Sequence, residues 1–144
     1  MAVVSTLSNH FKHQVMAGEI DFSSDEFRAI LMNDTFAFDE DAHATYDSVS
    51  GEELTTANGY TARGIALLSG EFTEDDANNK GSMKWAGKPT WTASVGSIGP
   101  TGAAVVFDET STGDIVVGCI DFGEDFTVTD GLPIQIQSGE VSLS

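Results

Sequence analysis

His10 and His13 lie three residues apart in a stretch with helical spacing, so one helix face could present both to a metal ion. Only Glu19 and Asp21 follow nearby as further ligands, and a solvated polar face is the better reading. His43 sits among acids and reads as a surface loop residue. Asp76-Ala77-Asn78-Asn79-Lys80-Gly81 opens like a calcium loop, which wants oxygen ligands at positions one, three and five and a bidentate Glu at twelve. Position five is Lys80 and position twelve is Gly87, so the pattern fails twice. Asp39-Glu40-Asp41, and Asp121 with Glu124-Asp125, would hold a cation only weakly and read as solvated loops. No metal or cofactor is expected.

Nucleophilic chemistry is equally hard to place. Cys119 is the only cysteine, which excludes an intrachain disulfide. Between Gly118 and Ile120, with no cation near in sequence, it reads as a buried, inert thiol. No serine stands in a Gly-x-Ser-x-Gly elbow. The Gly96/Gly99/Gly102 spacing matches neither the dinucleotide fingerprint nor a sustained collagen repeat, and reads as a loop. Carboxylates are plentiful, yet nothing marks two of them as a glycosidase pair, and an acidic surface explains them all. Lys80, Lys84 and Lys88 recur every four residues, but Gly81, Gly87 and Pro89 argue against a helix there. No catalytic residue emerges and no enzyme is expected.

Charge narrows the partners. Six Lys+Arg face 23 Asp+Glu, for a net charge of −17. Phosphate recognition needs clustered cations, so neither nucleic acid nor an anionic membrane surface is expected. Self-association must overcome like-charge repulsion through apolar or main-chain contacts. Apolar residues make up 40% and charged residues 20% of 144 residues, which fits one globular domain spanning 1–144. The N-terminus lacks the pattern of a signal peptide, and no apolar run reaches membrane-spanning length. Synthesis and assembly in the cytoplasm follow as the expectation, and Asn33-Asp34-Thr35 reads as a chance glycosylation pattern.

The elements that must position these residues are mostly strands. Leu7, Phe11 and Val15 recur at spacing four beside Met16, which predicts a short helix within residues 1–18, started by Thr6 or Ser8 and stopped by Gly18. Its stripe packs on the core or docks on a neighbour. Phe27–Met32 predicts a central strand, apolar on both faces. A short helix across Ala42–Tyr46, a short strand at Glu53-Leu54-Thr55 and a long strand from Tyr60 to Phe72 follow, with Gly64 marking a bulge or close approach. Residues 74–81 form a polar turn. Ser82–Ala86, Thr90–Val95, Ala103–Phe107, Asp114–Phe122, Phe126–Val128 and Leu132–Gln137 predict further strands, and Val141 and Leu143 alternate at the end. Trp85 and Trp91 serve as core or interface anchors. Eight to ten short strands predict a mainly β, single-domain antiparallel β-sandwich or jelly roll with a short N-terminal helix.

Phe11-Lys12, Gly18-Glu19-Ile20-Asp21-Phe22, Phe27-Arg28-Ala29-Ile30-Leu31-Met32, Gly59-Tyr60-Thr61-Ala62-Arg63-Gly64, a central tryptophan and Ile120-Asp121-Phe122-Gly123 together resemble a group of small tailed-bacteriophage virion proteins. The likeness covers roughly Ser8 to Leu143. It implies a virion structural component, best suited to capsid decoration, that binds the major capsid protein or other virion proteins as a homo-oligomer. Leu7, Phe11, Val15, Met16, Trp85 and Trp91 are the expected partner contacts, and the N-terminal segment, the edge strands and exposed aromatics would supply contact by strand addition or by pocket filling. A tail, neck or fibre role is the alternative. A carbohydrate-binding sandwich, stacking sugars on Trp85, Trp91, Tyr46 and Tyr60, is the further one.

Overall fold

The computed structural model describes residues 2–137 and 139–143. Its strands are β1 (Ala2–Val3), β2 (Thr6–Leu7), β3 (Phe27–Asn33), β4 (Ile65–Asp75), β5 (Lys80–Ala86), β6 (Thr90–Thr92), β7 (Ile98–Asp108), β8 (Ile115–Val128), β9 (Pro133–Gln135) and β10 (Gly139–Leu143). Helix α1 is Asn9–Met16 and the short α2 is Tyr46–Val49. The chain is mainly β, with antiparallel pairing and a short N-terminal helix, as expected. Its main-chain pairing does not divide into the two facing sheets of a sandwich. It runs as one curled eight-stranded sheet in the order β1-β10-β5-β4-β3-β7-β8-β2, with β6 and β9 as a separate pair.

The centre of this sheet is buried on both faces. Ala29 and Leu31 of β3, Ala104 and Val106 of β7 and Val117 of β8 face the interior. Ile30, Met32, Val105, Phe107 and Val116 face the other way, under Val49, Phe36, Phe38 and Tyr46 from the 34–53 excursion. Double-sided burial is why β3 and β8 show unbroken apolar runs instead of alternation. Each large side chain so buried contributes about 1.5–3 kcal/mol.

The sheet turns a corner in β4. Residues 65–67 pair with β3, and from Leu68 onward the strand pairs with β5, with a register shift between Leu68 and Glu71. A Cβ at Gly70 would stand 1.5 Å from the Lys84 carbonyl oxygen, so the bend demands glycine.

Residues 2–8 close the curl. β1 pairs in parallel with β10, and β2 pairs antiparallel with β8. The Val4 N–H donates to Glu140 O at 2.9 Å, while the next N–H, of Ser5, donates to Cys119 O at 2.8 Å. Successive strand amides point to opposite sides, so one strap bonds to both β10 and β8. Gly118 makes room for it: a Cβ there would lie 2.3 Å from Thr6 O and 2.5 Å from Val4 Cγ1.

Helix α1 follows the strap. Buried Ser8 caps it, its Oγ accepting from Phe11 N–H at 3.4 Å. Phe11 turns into the core and Val15, four residues on, is half-buried beside it. Met16 sits about 100° further round the helix and points to solvent.

Several sequence expectations shift. The short helix forms at Tyr46–Val49, after Ala42–Tyr46, because Asp39 Oδ1 accepts from the Asp41 and Ala42 N–H groups and holds that stretch as a turn. The long strand begins at Ile65; Tyr60 instead closes a tight turn with Ala57 through two mutual 3.0 Å bonds. Glu53 keeps a single bridge to Met32 in place of a strand. The glycine-rich 96–102 stretch is a loop only as far as Ser97. From Ile98 it is β7, whose Ile98 and Thr101 pair with Val128 and Phe126.

Gly118→Ala should destabilise the fold by about 1–3 kcal/mol by overpacking the strap. Urea denaturation checks this, and an unchanged midpoint would contradict the role given to Gly118.

Candidate interaction surface

Cross-strand pairing builds an apolar row at one end of the sheet. Phe72 of β4 lies opposite Met83 of β5, which lies opposite Val141 of β10. Directly paired residues share a face, so Phe72 extends the interior ladder, yet it is 58% exposed. The next row on that face is Glu74, Gly81 and Leu143. Gly81 contributes no side chain, and a Cβ there would meet nothing within 4 Å. The result is a groove of about 220 Å³ with Gly81 as its floor, walled by Phe72, Leu143 and Phe22. Phe22 is anchored by stacking on Phe27, ring centroids 4.9 Å apart, and by an edge contact to Trp85.

Two further clefts meet this groove at Leu143. One, of about 500 Å³, is lined by Glu74, Asp75, Asp76, Asn79 and Lys80. Asp75 organises that turn by accepting from the Asn78 side-chain and main-chain N–H groups, which hold its carboxyl below the usual range. Lys84, the next cation along β5, is paired with Glu71 at 3.1 Å. The other cleft, of about 730 Å³, runs beside the strap past Leu7, Val15 and Met16. The apolar groove at Phe72 and Leu143, with an acidic cleft on one side and a mixed cleft lined by Leu7, Val15, Met16, Lys12 and Glu40 on the other, has the make-up of a protein contact.

The expected contact residues divide. Leu7 and Val15 line the strap cleft half-buried, and Met16 is 91% exposed. Phe11, Trp85 and Trp91 are 0%, 2% and 3% exposed and pack inside the domain, a correction to their placement as contacts. Their apolar bulk is needed to fill the interior of the curl. Phe22, Phe72 and Leu143 were not singled out. Their signal was the alternation of Phe72 with Glu71 and Thr73, and of Leu143 with Ser142, where one face of a strand continues past the core.

Polar groups elsewhere serve the fold. Glu53 is buried and accepts from Tyr46 Oη, from Tyr60 Oη at 2.5 Å and from Arg63 N–H at 2.7 Å. Tyr60 Oη in turn accepts from Leu31 N–H at 3.1 Å, beyond the last β3 residue that β4 pairs. Burial, with Glu53 adding to it, pushes the Tyr46 phenol up to about 12 and the Tyr60 phenol higher still. The Arg63 guanidinium lies 4.5 Å over the Tyr46 ring and bonds Asp114 at 2.9 Å and Glu109 at 3.1 Å. This network pins the excursion onto the sheet.

The residues weighed for chemistry are scattered. The His10 and His13 rings stack at 6.4 Å on α1, and His43 packs on Phe36. Asp121, Glu124 and Asp125 gather with Asp34 around a cleft of about 460 Å³. Among the described residues no group of three or more His, Cys, Asp or Glu is placed to hold a metal ion. Cys119 is buried, and burial followed by the Asp121 charge pushes its thiol up to about 12. Among the described residues no helix is long and apolar enough to cross a membrane.

Asp108 is fully buried. Its Oδ1 accepts from Thr110 and Ser111 N–H at 3.0 and 3.2 Å, while among the described residues no N–H or hydroxyl reaches Oδ2 and the remaining partner of the carboxyl is Asp25. Burial, and then the neighbouring Asp25, push its carboxyl up to about 8. The folded state therefore holds this proton more tightly than the unfolded chain, whose Asp titrates near about 3.9. Stability from this group falls as pH rises from about 4 to about 8, and the loss is complete above that window. Asp108→Asn keeps the Oδ1 acceptor and removes the titration. Its Tm should exceed that of the wild type by at least about 4 °C near pH 8.5 and converge with it near pH 4.5. Parallel Tm curves across that range would contradict the assignment.

Neither a family model, nor a curated protein, nor a solved structure matches this chain.

Proposed function

We propose that this protein is a structural component of a tailed-bacteriophage virion, a decoration or cement protein that binds the head and bridges its subunits. The observation that carries the reading is a preformed apolar groove, walled by Phe72 and Leu143, on a sheet whose edge strands are partly paired by residues 2–8. Such a surface adds contact area without new folding, so little conformational entropy is lost on docking. Binding that favours the assembled lattice over its parts stabilises the lattice by mass action. The net charge of −17 keeps the free protein soluble and limits unspecific association before docking. The resemblance of Gly18–Phe22, Phe27–Met32 and Gly59–Gly64 to small virion proteins supplies the assembly.

The same surface would serve a tail, neck or fibre component, and copy number separates the two: hundreds per particle for a head lattice, a few for a vertex or tail ring. The sugar-binding reading is less favoured, because Trp85, Trp91 and Tyr60 are buried and half-buried Tyr46 lies under the Arg63 guanidinium.

Virions of the phage that encodes the chain, stripped of it, should release DNA at a lower temperature than intact particles, and adding the purified protein back should restore the difference. Release at the same temperature with and without the protein would overturn the cement role.

A further inference from the structure

We propose that the groove over Gly81 is a socket for one apolar side chain carried on a basic segment of the partner protein. The inference deepens the reading above and rests on it only for the identity of the assembly. The socket is small, about 220 Å³, and almost wholly apolar, so it admits a single side chain of leucine or phenylalanine size and not the flank of a helix. Its floor is open because Gly81 faces Leu143 across the β5–β10 pair where any other residue would project a side chain. Its far wall, Phe72, is more than half exposed although it stands in line with buried Met83 and Val141.

The surroundings set the partner's charge. Glu74, Asp75 and Asp76 line the adjoining cleft, which shares Gly81 and Leu143 with the socket. Lys80 is the one cation lining that cleft. A bound segment whose anchor fills the socket would place its flanking residues over these carboxylates, where Lys or Arg is favoured and Asp or Glu repelled. A second copy of this chain is disfavoured, because 23 acids against six cations leave it little basic surface to offer. Recognition thus combines an apolar anchor for affinity with acidic flanks for specificity.

The test uses the whole chain, ¹⁵N-labelled, and three synthetic pentapeptides with blocked ends: Arg-Arg-Leu-Arg-Arg, Arg-Arg-Gly-Arg-Arg and Glu-Glu-Leu-Glu-Glu. The first should shift the amides of Met83, Val141 and Leu143 and bind at least about tenfold tighter than either of the others. Gly81→Leu fills the socket from a position with free space around it, and should weaken the first peptide about tenfold or more while leaving the rest of the spectrum in place. Equal binding of the first two peptides, shifts remote from the groove, no binding at all, or indifference to Gly81→Leu would each overturn the proposal. So would concentration-dependent dimerisation that Gly81→Leu abolishes, since the occupant would then be a second copy. Virion binding separates the two readings. Heads that bind the Gly81→Leu protein as well as the wild type sink the socket and spare the cement role. Peptide binding in the groove without any head binding does the reverse.

Discussion

Two consecutive amides hold this architecture together. The N–H groups of Val4 and Ser5 donate to β10 and β8, the strands next to either end of the eight-stranded sheet. An open curled sheet would leave two rows of unpaired main-chain groups, each a template for another chain. The strap pairs part of both at once, and Gly118 is the residue that lets it lie close enough. Closure also decides how the protein can engage others. Where β8 and β10 are paired in cis, at residues 117–119 and 139–140, strand addition is blocked, and a surface groove offers contact through side chains instead.

The strap and the groove are physically linked. β10 is held between the strap on one side and β5 on the other, and its inward residues Val141 and Leu143 line the groove. Whatever orders β10 therefore orders the wall that a partner would meet. Over the outer face of the central strands, buried Glu53 does comparable work, gathering the hydroxyls of Tyr46 and Tyr60 and the Arg63 amide. It fastens the 34–53 excursion over Ile30, Met32 and Phe107. A single carboxylate satisfied by three donors fixes a loop in place in a way that apolar packing alone does not.

What could be read from the chain was what depends on neighbours in sequence. The Leu7/Phe11/Val15 spacing with Ser8 ahead of it gave α1, and the unbroken apolar runs of Phe27–Met32 and Ile115–Ile120 gave the central strands. The inert reading of Cys119 also follows from its apolar neighbours. What escaped depends on distant partners. Ile98–Thr101 look like a loop because glycine and proline carry no strand preference, yet Phe126 and Val128 pair with them across the sheet. The strap has no signal in Ala2–Leu7, since its role arises only when β8 and β10 arrive on either side. Trp85 and Trp91 fit an interior anchor or an exposed one equally well by type, and only the curl of the sheet settles that they lie inside. The groove was hidden for the same reason: Phe72, Gly81 and Leu143 are scattered along the chain and meet only through register.

Native-state hydrogen exchange read at single amides probes the closure most directly. If the strap is integral to the sheet, the Val4 and Ser5 amides exchange only through global unfolding, with the same protection as Val106 and Val117 in the centre. If instead Val4 and Ser5 exchange at nearly the free-peptide rate while Val106 and Val117 stay protected, the sheet is open at its edges. Strand addition would then return as the way this protein binds.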